Sequence, residues 1–170
     1  MPKGRATVTD AVTITLAPAG PVHALELWDG AALAPLSALL GFALPPAGRT
    51  AGTAALRAIR AEPAVWLLDG PALDLAAITA ALGDNGALTP VGGGLVRIGL
   101  AGPGWRAALM ADGLFDAEDP AFGPGSTAAT LIAHVGVRLI VTAADACEVL
   151  VAASYAPHLH HALERSAKMA

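Results

Sequence analysis

The sequence predicts an α+β fold, two small subdomains of antiparallel strands with short helices, and three observations lead there. Apolar residues alternate with threonines near the start, the period-2 signature of a half-buried strand. Strand-like apolar runs recur in pairs, and then as a three-strand meander in the second half. Between them, short Ala/Leu-rich segments stop at glycine, which accepts the positive φ of a helix end. At 170 residues, 55% apolar and only 14% charged, the chain has the composition of a folded domain. The whole of 1–170 reads as one domain, with a subdomain split expected near residue 90, into 1–90 and 91–170.

In chain order, a mobile start precedes a strand in which Val8, Val12, Ile14 and Leu16 alternate with Thr9, Thr13 and Thr15. Pro18-Ala19-Gly20-Pro21 is turn chemistry, and residues 22–28 make a second strand carrying His23 and Glu26. A helix over 31–40 ends at Gly41, and residues 42–53, with Pro45, Pro46, Gly48 and Gly52, read as an exposed loop. Two strands follow, 54–61 and 64–68; Arg57 and Arg60 are an odd spacing apart and cannot share a face. Asp69-Gly70-Pro71 leads to a helix over 72–82, stopped by Gly83. Residues 87–91 form a short strand and Gly92-Gly93-Gly94 a tight bend.

The second half opens with a strand over 95–100. The Gly102-Pro103-Gly104 turn then starts a helix over 104–110 with Trp105, Ala108 and Leu109 on one face. Residues 116–124 are irregular, with one helical turn near Pro120. Strands over 127–135, 137–143 and 147–152 form an antiparallel meander, its turns at His134-Val135-Gly136 and Ala144-Asp145-Ala146. A last helix begins near Ala156, with Pro157 suited to its first turn, and ends before Lys168.

The totals exclude some functions. A net charge of −4 argues against nucleic-acid binding. Mean hydropathy is +0.58, but no stretch approaches the ~20 unbroken apolar residues of a membrane span, and no signal-peptide core is present. The expectation is a soluble, cytoplasmic protein. So few charges also leave room for an exposed apolar patch that meets a partner. The sole cysteine, Cys147, excludes an intramolecular disulfide and any multi-cysteine metal site. Its apolar strand context marks it as a small buried hydrophobe rather than a reactive thiol.

Candidate chemistry is sparse. Gly102-Pro103-Gly104-Trp105-Arg106-Ala107 has part of a dinucleotide fingerprint, but Pro103 removes a backbone donor and no second strand supplies the acidic residue. A turn that starts a helix is the better reading. On the last helix His158 and His161 are an i,i+3 pair with Glu164 beyond them, a weak metal candidate beside the ordinary reading of a solvated helix face. A catalytic zinc helix spaces its pair at i,i+4 with a glutamate between, and Leu159 and His160 stand here instead. His23 and His134 are isolated. Ser37, Ser126 and Ser154 lack a nucleophile elbow, and Asp112, Asp116, Glu118 and Asp119 surround a loop without calcium-loop spacing. No catalytic site is expected on this chain.

Pro63-Ala64-Val65-Trp66-Leu67-Leu68, the run from Arg97 to Gly102-Pro103, and Phe122-Gly123-Pro124-Gly125-Ser126 are followed by a meander from Thr130 through His134 and Val137 into Glu148-Val149-Leu150-Val151. Ser154-Tyr155-Ala156 closes the series. In order and spacing these segments resemble the gamma subunit of heterotetrameric sarcosine oxidase, from about Trp28 onward and best after Gly94. The resemblance implies a fold similar to part of the folate-binding aminomethyltransferase of the glycine cleavage system. It implies an accessory subunit in a bacterial complex for sarcosine catabolism, with FAD, FMN, NAD and tetrahydrofolate on larger alpha, beta and delta type subunits and none on this chain. Self-association in isolation stays open. Two departures stand out: the family's cysteine after the Gly-Pro helix is replaced in the Ala111-Asp112-Gly113 neighbourhood, and His160 and Ala162 stand where tryptophans are expected. A standalone folate-binding, aminomethyltransferase-like domain is the second reading. A folate-dependent iron–sulfur maturation protein is a remote third, since its Lys-Gly-Cys-x-Gly-x-Glu signature is missing.

Overall fold

The computed structural model describes residues 12–53 and 55–169. Val8, Thr9 and the expected mobile start, and residue 54 at the head of one expected strand, lie outside the described residues. In chain order the elements are β1 (Thr13–Pro18), β2 (Val22–Leu27), α1 (Leu33–Leu40), β3 (Thr50–Gly52), β4 (Arg57–Glu62), β5 (Val65–Asp69), α2 (Leu75–Leu82) and β6 (Gly86–Pro90). After a 3-10 turn at Gly92–Gly94 come β7 (Leu95–Ala101), α3 (Trp105–Met110), β8 (Thr127–Ile132), β9 (Val135–Ala143), β10 (Ala146–Ala152) and α4 (Ala156–Ala167).

The strands form two five-stranded sheets, ordered β1-β7-β10-β9-β8 and β3-β4-β5-β2-β6. Every neighbouring pair is antiparallel. The α+β class of antiparallel sheets with short helices is therefore what the chain adopts. The sheets are not the two halves of the chain, however: β1 leaves its sequence neighbours and pairs with β7, Thr13 opposite Ala101 and Pro18 opposite Val96.

Alternation along the strands divides the interior into three apolar layers. On β9 and β10, Val137, Leu139, Val141, Cys147, Val149 and Val151 point to α3 and α4, where they meet Trp105, Leu109, Leu159 and Leu163. On the second sheet Leu25, Leu27, Trp66 and Leu68 point to α1 and α2, against Leu36, Leu40, Ile78 and Leu82. The alternate residues, Val22 and Ile59 from one sheet and Ile140 and Leu150 from the other, meet face to face. The result is four layers, helices outside and two sheets inside. Truncating a residue such as Leu139 or Leu25, both fully buried, costs about 2–5 kcal/mol by the usual cavity cost.

Local chemistry fixes the element ends. The Asp74 carboxylate caps α2 by accepting from the Ala77 N–H at 3.0 Å. Gly41 closes α1 at φ 77°. Gly92 allows the chain to pass close to the turn before β2, since a Cβ there would lie 2.1 Å from the Gly20 carbonyl oxygen.

Three local expectations are corrected. The loop over 42–53 contains β3, which pairs Thr50 with Ile59 and Gly52 with Arg57; a three-residue strand is too short to show periodicity beside Pro45, Pro46 and Gly48. The β8–β9 turn is Ala133-His134, both at positive φ (47° and 65°), while Val135 and Gly136 are ladder residues opposite Ile132 and Leu131. Glycine at 136 drew the expectation two residues too far. Residues 116–124 hold turns rather than a helical turn: Asp116 and Asp119 accept from the backbone N–H groups of Glu118 and Ala121, which favours Asx turns over helix. Among the described residues no helix is long and apolar enough to cross a membrane.

Candidate functional site

Within the mostly apolar sheet-on-sheet layer, four charged side chains are brought together from four strands. Arg57 on β4 stands directly opposite Asp69 on β5. On the other sheet Glu148 of β10 faces Gly99 of β7, with Arg97 one diagonal step away. Glycine at 99 leaves room for the Thr15 hydroxyl, which a Cβ there would meet at 2.7 Å.

The four close into a ring of alternating charge. Arg57 Nε donates to Asp69 Oδ2 at 2.8 Å, and Arg97 Nη2 to Asp69 Oδ1 at 2.8 Å. Glu148 Oε2 accepts from both guanidiniums, Arg57 Nη2 and Arg97 Nη1. Arg97 Nη2 also donates to the Ala19 carbonyl at 3.1 Å. The Asp69 side chain is 8% exposed and that of Glu148 27%. Burial opposes the charge on Arg57, but the hydrogen bonds and charges of Glu148 and Asp69 outweigh it and hold its pKa above the ordinary arginine value. Two cations and two anions leave the ring neutral.

Beside the ring lies an open cleft of about 620 Å³ between the sheets, lined also by Thr50, Thr53, Gly52 and Thr142. Its polar groups are hydroxyls and ring charges that already hold one another. A little further along, Arg138 of β9 reaches across and donates to the Arg60 and Ala61 carbonyls at 3.1 and 2.7 Å. Burial lowers its pKa, partly offset by the Glu62 charge. These groups bind the two sheets together.

The structure places the residues singled out by sequence elsewhere. Gly102 takes φ 121°; its N–H donates to the Asp145 carbonyl at 2.9 Å and the Trp105 N–H donates to the Gly102 carbonyl at 3.2 Å. Those donors are used within the turn, and Pro103 has none to offer. Phe122 stacks edge-on against Phe115, centroids 5.7 Å apart, and its carbonyl accepts from Arg106 at 2.9 Å. Gly125, at φ 82°, joins the sheets where its carbonyl accepts from the Thr50 N–H at 2.9 Å. Pro63 sits in the β4–β5 hairpin, Pro124 just before β8, and Ser154 and Tyr155 are exposed ahead of α4. His158 and His161 are exposed on α4, and Glu164 approaches His160 at 3.9 Å rather than either of them. Among the described residues, no group of three or more His, Cys, Asp or Glu side chains is placed to hold a metal ion. Cys147 is buried against the helix layer, and burial pushes its thiol up to about 12.

The ring itself escaped sequence reasoning. Its signal was present as charge interrupting apolar strands, at Arg97 and Glu148, and in the odd spacing of Arg57 and Arg60. The two arginines do lie on opposite faces: Arg57 in the ring, Arg60 over the Trp66 indole with its Cζ 4.0 Å from the ring centroid.

No family model matches the chain, and no curated protein matches it in sequence. Solved structures do. A chain of the heterotetrameric sarcosine oxidase from Corynebacterium sp. U-96, in complex with pyrrole 2-carboxylate, is 22% identical, covers 95% of this chain and 88% of its own length, and superposes with a TM-score of 0.85. The glycine cleavage system aminomethyltransferase T from Bartonella henselae is 17% identical, with a TM-score of 0.65 over 91% of this chain and 45% of that one. The fold of this chain is thus the fold of a heterotetrameric sarcosine oxidase chain, recurring within the larger aminomethyltransferase.

Proposed function

We propose that this chain is an accessory, non-catalytic subunit of a sarcosine oxidase-like flavoenzyme complex. That complex oxidatively demethylates sarcosine or a related N-methyl amino acid and transfers the methylene to tetrahydrofolate. The reading is carried by similarity along nearly the whole length of both chains to one member of a heterotetramer. The neutral ring supports it, since its charges are held in ion pairs where a catalytic centre would need a free acid, base or nucleophile. In this reading FAD, FMN, NAD and tetrahydrofolate belong to larger alpha, beta and delta type subunits. Co-expression with a flavin-bearing candidate partner tests it: a stable co-purifying complex is expected, and a chain that stays monomeric beside every such partner overturns it.

The cleft of about 620 Å³ favours a second reading, a standalone folate-binding, aminomethyltransferase-like domain. The residues present do not fit a folate well. A charged ligand there has to displace Asp69 or Glu148 from Arg57 and Arg97 before it meets an unpaired charge. Calorimetric titration with tetrahydrofolate separates the readings, since saturable heat favours the second and its absence the first.

A further inference from the structure

Of the half-buried arginines, Arg57, Arg97, Arg106 and Arg138 all have hydrogen-bonded guanidiniums. Arg60 is the exception: among the described residues its guanidinium makes no hydrogen bond and no ion pair, and it rests on the Trp66 ring alone. It lines two depressions. One, of about 510 Å³, has Trp66 as its floor and Trp28, Leu33, Leu44 and Pro45 as its walls. The other, of about 270 Å³, continues past Arg60 along Ala47 and Pro63. Trp28 is 64% exposed and Leu33 40%, while the Trp66 Nε1–H donates to the Pro45 carbonyl at 2.9 Å and fixes the floor.

An exposed tryptophan, a proline wall and an unpaired arginine resting over an indole form the kind of cluster that dominates binding energy at protein interfaces. Among the described residues the two nearby carboxylates, Asp29 and Glu62, make no ion pair with Arg60. Asp29 accepts instead from the Ala31 N–H at 2.7 Å, and Glu62 lines the smaller depression without reaching the guanidinium in an ion pair. The guanidinium therefore presents its N–H fork to a carboxylate from outside, in the bidentate geometry that arginine favours. A trough running on both sides of that charge suits a length of chain better than a compact molecule.

We infer that the Trp28–Arg60 trough is the docking site for an extended segment of a partner polypeptide, one that seats a large apolar side chain beside Trp28 and Trp66 and pairs a carboxylate with Arg60. This rests on the subunit reading. The test is the full-length chain titrated with the co-expressed flavin-bearing partner, as wild type, Trp28→Ala, Arg60→Gln and a control, Leu114→Ala, altering a side chain 76% exposed in another depression. Circular dichroism checks that each variant is folded; should Arg60→Gln fail that check, Trp28→Ala decides. We expect the control to bind as wild type and the two trough variants to bind at least tenfold more weakly. If both trough variants bind as wild type does, the docking site is overturned and the subunit reading stands. If wild type does not associate, both fall. If wild type alone forms a dimer that Trp28→Ala dissociates, the trough takes a second copy of this chain and the proposed occupant is wrong.

Discussion

Asp69 holds the ring together, since it is the least exposed of the four charges and the one carboxylate that accepts from each arginine through a different oxygen. Removing its charge leaves Arg57 and Arg97 close together with only Glu148 between them. We predict that Asp69→Asn lowers unfolding free energy by about 3 kcal/mol in urea titration, as for other broken buried pairs. Cys147 carries the second residue-scale prediction. Its thiol is raised from 9.0 to about 12 by burial, so the folded state disfavours the thiolate that the unfolded chain forms more readily. Stability from this group is full below pH 9 and is lost as pH climbs through 9 to 12. A Cys147→Ala variant should show a shallower alkaline decline than wild type in thermal unfolding, and native wild type should resist alkylation at pH 8 until denatured.

The β8–β9 hairpin is an element in which local and global preferences conflict. A two-residue loop with positive φ at both positions wants Asn-Gly, and the chain supplies Ala133-His134. Left-handed backbone costs about 1–2 kcal/mol for an ordinary L-residue, so Ala133→Asn with His134→Gly should raise the melting temperature, with a gain of about 1 kcal/mol. At α2 the expected direction reverses, because Asp74→Ala removes a working cap and should cost about 1 kcal/mol in the same assay. These elements show how far sequence could be read. The glycine stop at Gly41 and the face shared by Trp105, Ala108 and Leu109 are local signals that carried through, while the alternation at Thr13–Leu16 gave the strand but left Leu16 exposed. The hairpin turn did not, because its residues contradict their own conformation and only strand pairing imposes it.

At the scale of the whole molecule, the ring is the feature that local reading could not reach. Arg57 and Glu148 are neighbours only because two sheets stack, and no period or spacing encodes that. The same stacking makes a prediction about specificity. Replacing all four ring members by apolar residues of similar volume should leave stability unchanged or raised, since desolvation of buried charge offsets most of the attraction. If the quadruple variant instead unfolds as readily as Asp69→Asn, the ring is a net source of stability. Chemical denaturation of both variants side by side decides the point.

The placement of β1 has a consequence for how the chain comes together in time. It emerges about eighty residues before β7, its ladder partner among the described residues, a wait of roughly 4 to 16 s at 5–20 residues per second. An unpaired strand left waiting invites wrong pairings. β1 suits the delay: Thr13 and Thr15 stand on one face, most of it is exposed even when docked, and Pro18 ends it without a donor. It joins a sheet whose other strands, β7 to β10, arrive in close succession and can zip from their own hairpins. A strand made well before the rest of its sheet is then among the last to dock.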